Sequence, residues 1–186
     1  MQFYDVIENR TSIKKFKNTS LNREKVERMI NAAMMSPSWK NEASYKFIIV
    51  EEEHKKNAIA EAIKNKTQEA ATAVKEAPMV AVVVANPQES GEIDNKEFYL
   101  VDGAIAMEHF ILAATEEGYG TCWIAAVDEK KVKSELGIPE NYRIVGLTPV
   151  GEIQEEKKNY TKKDVKDYVF LNNWNTAYTD KVEILH

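Results

Sequence analysis

The sequence predicts a single domain of mixed helices and strands, and three observations predict it. The chain has 186 residues, the span of one ordinary domain. Its hydrophobic share is 44% and its charged share 30%, the balance of a globular chain that can bury a core without staples. Its apolar residues recur at helical spacing in some segments and run unbroken over strand lengths in others.

The elements follow in order. Residues 2–9 suit a short helix. Thr19, Ser20 and Asn22 offer capping side chains, and a helix is predicted from Arg23, with Val26, Met29, Ile30, Ala33 and Met34 on one face. Ser36-Pro37-Ser38 ends it, because proline lacks the N–H that a continuing helix needs. Tyr45–Val50 reads as a strand and 54–76 as one long helix rich in Ala, Lys and Glu. Met79–Ala85 is apolar on both faces and so suits a central strand, and 86–95 suits a loop. The helix predicted over 99–117 is apolar nearly all round: between Gly103 and Ala114 only Glu108 and His109 are polar. Such a helix must be buried, and in so short a chain a second subunit is one way to bury it. Gly118 and Gly120 break it. A strand or extended turn over 121–127, a short helix over 128–136 stopped by Gly137-Ile138-Pro139, and a core strand over 143–151 complete the body. Beyond Gly151, a charged stretch leads to an arm carrying Tyr168, Phe170, Leu171, Trp174 and Tyr178, too apolar to float free.

Composition excludes several classes. Net charge is −5, with lysines interleaved among Glu and Asp, which disfavours a nucleic-acid binder. One cysteine, Cys122, allows no internal disulfide. The N-terminus does not read as a secretory signal, and no apolar run approaches the roughly 20 residues of a membrane span. The cytoplasm is therefore the expected location, without a membrane partner. Neither G-x-G-x-x-G nor G-x-x-x-x-G-K-[ST] occurs, and three scattered histidines with one cysteine make a poor zinc or haem set.

Four segments carry chemistry. In Arg10-Thr11-Ser12-Ile13-Lys14, extended backbone would project Arg10, Ser12 and Lys14 to one side, two cations and a hydroxyl suited to phosphate. The same run also reads as a solvated basic stretch. Pro37-Ser38-Trp39-Lys40-Asn41 forms a loop between helix and strand, where Asn41 could pair with a heterocycle edge or simply connect the two elements. Gly118-Tyr119-Gly120-Thr121-Cys122-Trp123-Ile124-Ala125-Ala126 allows close backbone approach at its glycines. Val145–Gly151 is a strand ending Pro-Val-Gly.

In this order and spacing the four segments resemble the nitroreductase family of FMN enzymes. That family shows Arg-x-Ser-x-Arg/Lys-x-Phe, an Ala-rich helix ending Pro-Ser-x-x-Asn, an Asp-x-Ala-rich helix, Gly-x-Gly-Thr-Cys-Trp-Ile and a Pro-Val-Gly strand. The resemblance spans about residues 2–151, with a weaker tail to about 174. It implies an α+β fold with a central, mostly antiparallel sheet flanked by helices, in an intertwined homodimer with FMN at the interface. The C-terminal arm, 152–186, would embrace the partner. Arg10 would hold the FMN phosphate, Ser12 would bond the phosphate or the ribityl chain, Thr11 would also belong to the cofactor-binding set, and Lys14 would lie at the pyrimidine edge. Pro37, Ser38, Trp39 and Asn41 would approach the same flavin from the other subunit. The Ile124-Ala125-Ala126 turn would set a backbone N–H, that of Ala125, against flavin N5. Lys157 or Lys158 would add a cation at the phosphate. No side chain acts as catalytic acid or base. The implied activity is ping-pong transfer of hydride from NADH or NADPH to a nitroaromatic, quinone or similar small acceptor. The alternative is an FMN-binding or sensing protein without turnover. Trp39 motivates it, because many members carry a small residue there and an indole would either narrow the slot over the flavin or pack in the interface.

Overall fold

The computed structural model describes residues 1–155 and 163–178. In chain order the elements are α1 (Phe3–Asn9), α2 (Arg23–Met34), a 3-10 turn (Trp39–Asn41), β1 (Tyr45–Val50), α3 (Glu53–Glu61), α4 (Glu69–Glu76), β2 (Met79–Ala85), α5 (Pro87–Ser90), β3 (Glu92–Ile93), β4 (Lys96–Glu97), α6 (Phe98–Glu116), β5 (Tyr119–Thr121), α7 (Glu129–Leu136), β6 (Arg143–Glu152) and α8 (Val165–Tyr168).

Four strands form one sheet in the order β1-β2-β6-β5, each neighbouring pair antiparallel. The uninterrupted apolar run of β2 lies inside this sheet and every residue of it is buried, as strands covered on both faces require. One face packs on α2 and α6, through Val26, Met29, Met107 and Phe110 among others. The other packs on α3, α4 and α7, through Ile59, Val74 and Val132. Helices on both faces of an antiparallel sheet make the α+β architecture that the resemblance implies.

Local chemistry explains the boundaries. Asn22 caps α2 by accepting from the Lys25 N–H, and Asp128 caps α7 by accepting from the Lys131 N–H. Gly137 ends α7 in the left-handed region, at φ 64°. On α2, Val26, Met29 and Ala33 are buried as the spacing predicts, but Met34 is 49% exposed. Eight residues of helix leave it about 80° round from Val26, at the rim of the stripe.

Helix α6 is long and apolar enough by length and composition to cross a membrane, which the sequence reading did not anticipate. It packs instead against α2 and the sheet, with Ala106, Met107, Phe110 and Ala114 fully buried. Its approach to β6 is so close that a Cβ on Gly103 would lie 2.7 Å from a Val145 methyl. Burial is one-sided within the chain: Leu100 and Val101 are 43% and 49% exposed.

Two expectations are corrected. The helix predicted over 54–76 is two helices. Between them the backbone turns to pair with the segment ahead of α7: the Lys64 N–H donates to Ala126 O and the Asp128 N–H to Ala62 O, at 2.8 and 2.7 Å. The predicted loop 86–95 holds α5, capped by Asn86, and one strand of the hairpin β3–β4. Its turn residues Asp94 and Asn95 have φ 52° and 61°, the handedness that two-residue hairpins favour.

Candidate functional site

The Arg10–Lys14 segment is extended, and its register is set by β5. Ser12 forms a parallel bridge with Thr121, and the Ile13 N–H donates to Thr121 O at 2.8 Å. The chain then runs beside the end of β6, where the Lys17 N–H donates to Glu152 O and the Gln154 N–H to Lys15 O. Ile13 and Phe16 point inward, 2% and 5% exposed, while Ser12, Lys14 and Lys15 line a hollow of about 660 Å³. Gly120 makes this seam possible, because a Cβ there would lie 2.8 Å from the Ile13 side chain. The structure therefore brings the first and third motifs together on one edge.

Helix α4 supplies the opposite wall through Gln68, Glu69 and Thr72. The Lys14 ammonium donates to the Glu69 carboxylate at 2.5 Å. That hydrogen bond, opposed by partial burial and aided by the same carboxylate's charge, raises the Lys14 pKa above its ordinary value and keeps it protonated. Arg10 ends α1, its N–H donating to Val6 O at 3.0 Å. Arg10 as a residue is half-buried; its guanidinium makes no hydrogen bond or ion pair among the described residues, and it does not line the hollow. Thr11 is half-buried beside it.

The second motif lies elsewhere, beside the N-terminal half of α6. Asp102, 1% exposed, organises it. One carboxylate oxygen accepts from the Trp39 N–H at 2.7 Å, and the other accepts from Ser90 Oγ at 2.7 Å and Ser44 Oγ at 3.2 Å. The Ala43 N–H donates to Ser38 Oγ at 2.9 Å. Lys40, Asn41 and Ala43 all have positive φ, from 49° to 61°, so the loop holds a conformation that non-glycine residues seldom adopt. Trp39 stacks flat on Phe98, centroids 3.9 Å apart. Within its own chain the indole packs against α6. Pro37, Ser38 and Trp39 border a smaller hollow of about 230 Å³ with Phe98, Val101, Asp102 and Ile105; Asn41 is exposed and is not part of that lining.

No hydrogen bond, ion pair or ring contact joins the 37–41 loop to residues 10–14 among the described residues, and the two hollows share no lining residue. In the third motif, Ile124 and Leu147 exchange backbone hydrogen bonds at 2.9 and 2.8 Å, and Ala126 O accepts from Lys64. Ala125 stands exposed between them, its N–H without an acceptor among the described residues. Lys157 and Lys158 lie outside the described residues.

Sequence reasoning missed Glu69 and Asp102. Glu69 is separated from Lys14 by 55 positions and fell inside a helix predicted as continuous. Asp102 had a signal: a carboxylate in the first half of a strongly apolar helix has to find buried donors.

Comparison with known proteins places these features. The profile of the Nitroreductase family matches residues 7–152. A protein of Archaeoglobus fulgidus, carried provisionally as an NADH dehydrogenase/NAD(P)H nitroreductase, is 28% identical over 163 residues, covering 86% of this chain and 90% of that one. The crystal structure of a nitroreductase family protein from Clostridium novyi NT superposes with a TM-score of 0.82 at 52% identity, over 96% of this chain and 98% of the other. An FMN-dependent nitroreductase from Clostridium difficile R20291 superposes with a TM-score of 0.79 at 27% identity, over 91% and 98%. With the ordered motifs, the antiparallel sheet and a profile match over most of its length, this chain belongs to the nitroreductase family.

Proposed function

We propose that this chain is an FMN-dependent NAD(P)H oxidoreductase whose 186 residues form one domain and whose site is completed in a homodimer. The observation that carries the reading is the Ser12–Thr121 bridge. It fuses the Arg-x-Ser-x-Lys segment and the Gly-Tyr-Gly-Thr-Cys-Trp-Ile turn into one edge beside a hollow of about 660 Å³.

The residues suit FMN. Arg10 offers an uncommitted guanidinium of the kind that grips phosphate in a bidentate way, and Ser12 an exposed hydroxyl. Lys14 is a cation held protonated beside the hollow, suited to the pyrimidine edge. The Ala125 N–H is free to donate at flavin N5. Lys157 or Lys158 would add a second cation at the phosphate. Bound there, FMN supplies the chemistry that no side chain here offers: it takes a hydride from a nicotinamide donor and passes the electron pair to a nitroaromatic, quinone or similar acceptor. The protein's part is to bind, orient and shield. Among the described residues no contact joins Pro37, Ser38, Trp39 or Asn41 to residues 10–14, so in this reading they serve the flavin bound mainly by a second copy. The names of the Archaeoglobus and C. difficile relatives, with NAD(P)H in one and FMN in the other, support the donor and the cofactor.

The test is reconstitution with FMN followed by anaerobic titration with NADH and with NADPH, read at the visible flavin band. One FMN per chain, bleached by at least one donor and restored by a quinone, is the expected result, with FMN retention weakened at least tenfold in Arg10→Ala. A protein that binds no FMN refutes the reading. A flavin left unchanged by both donors refutes turnover and leaves a binding or sensing role. Undiminished FMN binding by Arg10→Ala would remove the phosphate assignment.

A further inference from the structure

We propose that Glu69 tunes the flavin of this site towards a lower reduction potential, by holding a carboxylate against Lys14, the cation nearest the flavin pyrimidine. The inference rests on the FMN assignment above. It concerns how strongly the site reduces its acceptors.

The geometry is specific. The Arg10–Lys14 segment is fixed by its backbone pairing to Thr121, so Lys14 cannot drift along the edge. Glu69 opens α4, and its carboxylate accepts from the Lys14 ammonium at 2.5 Å, with the lysine side chain 32% and the glutamate side chain 64% exposed. Among the described residues, Lys15 is paired with Glu155 and Glu76 also faces the hollow, so the described lining carries two lysines against three glutamates. Arg10 lies outside that lining.

The charge argument follows from the balance of the reaction. NAD(P)H gives up a hydride, two electrons with one proton, and becomes NAD(P)⁺. The flavin gains those two electrons and that proton at N5, and with N1 unprotonated it carries one more negative charge than before. A cation at the pyrimidine edge favours that charge, which tightens binding of the reduced cofactor relative to the oxidised and raises the potential. A carboxylate in contact with the same cation cancels part of its field. The sign holds whether Lys14 stays on Glu69 or swings towards the flavin, because the carboxylate stays beside the edge in either case. When the flavin is reoxidised, the acceptor takes the two electrons with two protons, one from N5 and one from solvent. Those electrons leave a flavin that holds them less firmly.

The alternative role for Glu69 is structural: a carboxylate in the first turn of a helix favours its dipole. Potential and stability separate the two. The midpoint potential of bound FMN is measured by equilibration with a reference dye in the parent, Glu69→Gln, Glu69→Asp and Glu52→Gln. Thermal melting is recorded for each. Glu69→Gln should bind reduced FMN three- to tenfold more tightly relative to oxidised FMN, a rise of about 15–30 mV for a two-electron couple. Glu69→Asp, which keeps the charge, should stay near the parent, and so should Glu52→Gln, which frees Lys55 away from the hollow. An unchanged potential in FMN-loaded Glu69→Gln, or an equal rise in Glu52→Gln, overturns the proposal, whatever the melting temperature does. If the parent itself binds no FMN, the failure lies with the cofactor assignment, and this inference falls with it.

Discussion

A carboxylate buried as deeply as Asp102 must be matched by donors, and it is matched by three, drawn from the 37–44 loop and from α5. Those bonds hold a loop whose Lys40, Asn41 and Ala43 sit at positive φ, so the side chain offsets strain as well as linking segments. Asp102→Ala would leave two hydroxyls and one N–H without their acceptor, each worth about 1–3 kcal/mol when buried. The expected loss of stability is therefore a few kcal/mol, seen as a lower urea midpoint, with Asp102→Asn in between. A variant within 0.5 kcal/mol of the parent, the scatter typical of surface changes, would show that water replaces the carboxylate. At this scale the sequence was legible where the candidate site presents a residue type: Arg10, Ser12 and Lys14 stand out by charge and alternation. It was opaque where a residue's place depends on a distant partner. Nothing local to Glu69 or Phe98 points to Lys14 or Trp39, because those contacts exist only once distant segments are folded together.

At the scale of elements, apolar periodicity located β1, β2, α2, α6, α7 and β6 within a few residues. It failed over 54–76, where an Ala-, Lys- and Glu-rich composition suits helix throughout. What divides α3 from α4 is pairing of 62–64 with 126–128, a non-local event that local propensity does not encode. The division has a consequence for the site, since it starts α4 at Glu69. The link between α7 and β6 is electrostatic as well as apolar. The Arg143 guanidinium donates two bonds of 2.9 Å to the Glu129 carboxylate, which also accepts from the Ile144 N–H at 3.3 Å. The Arg143 hydrogen bonds, ahead of the opposing effect of burial, hold the Glu129 pKa below the ordinary glutamate value of 4.5. A carboxyl whose folded pKa is depressed stabilises the fold above its unfolded pKa and loses that contribution as pH falls through the folded one. Glu129→Gln should therefore cost about 1 kcal/mol at pH 7, and the gap to the parent should close as pH falls below 4.5. Urea midpoints at pH 7 and pH 3 measure it. A gap that persists undiminished at pH 3 would mean that shape, not charge, ties α7 to β6.

For the whole molecule, the surface carries more apolar area than one chain can use. Phe3 and Tyr4 of α1, Met34 and Met35 at the end of α2, and Leu100 and Val101 of α6 are all exposed, Met35 to 82%. Among the described residues of the C-terminal arm, Tyr168 and Trp174 are 62% and 82% exposed. Clustered exposure of this kind is what the proposed homodimer would cover, and α1 and α2 both pack on α6. The open side of α6 adjoins the hollow bordered by Trp39 and Val101, which places the unpartnered second motif at the same surface. The apolar character of α6 was legible in the sequence, and so was its need for burial. Which side stays exposed was not, because that depends on which side the sheet takes first. A homodimer through this surface should make cofactor binding depend on protein concentration. Sedimentation velocity should show a dimer at micromolar concentration. Leu100→Glu with Val101→Glu should shift it to monomer and lose FMN at least tenfold more readily, although Arg10, Ser12 and Lys14 are untouched. If the double variant became monomeric yet kept the parent's FMN affinity, the site would be complete within one chain. The 37–41 loop would then have no part in holding the flavin.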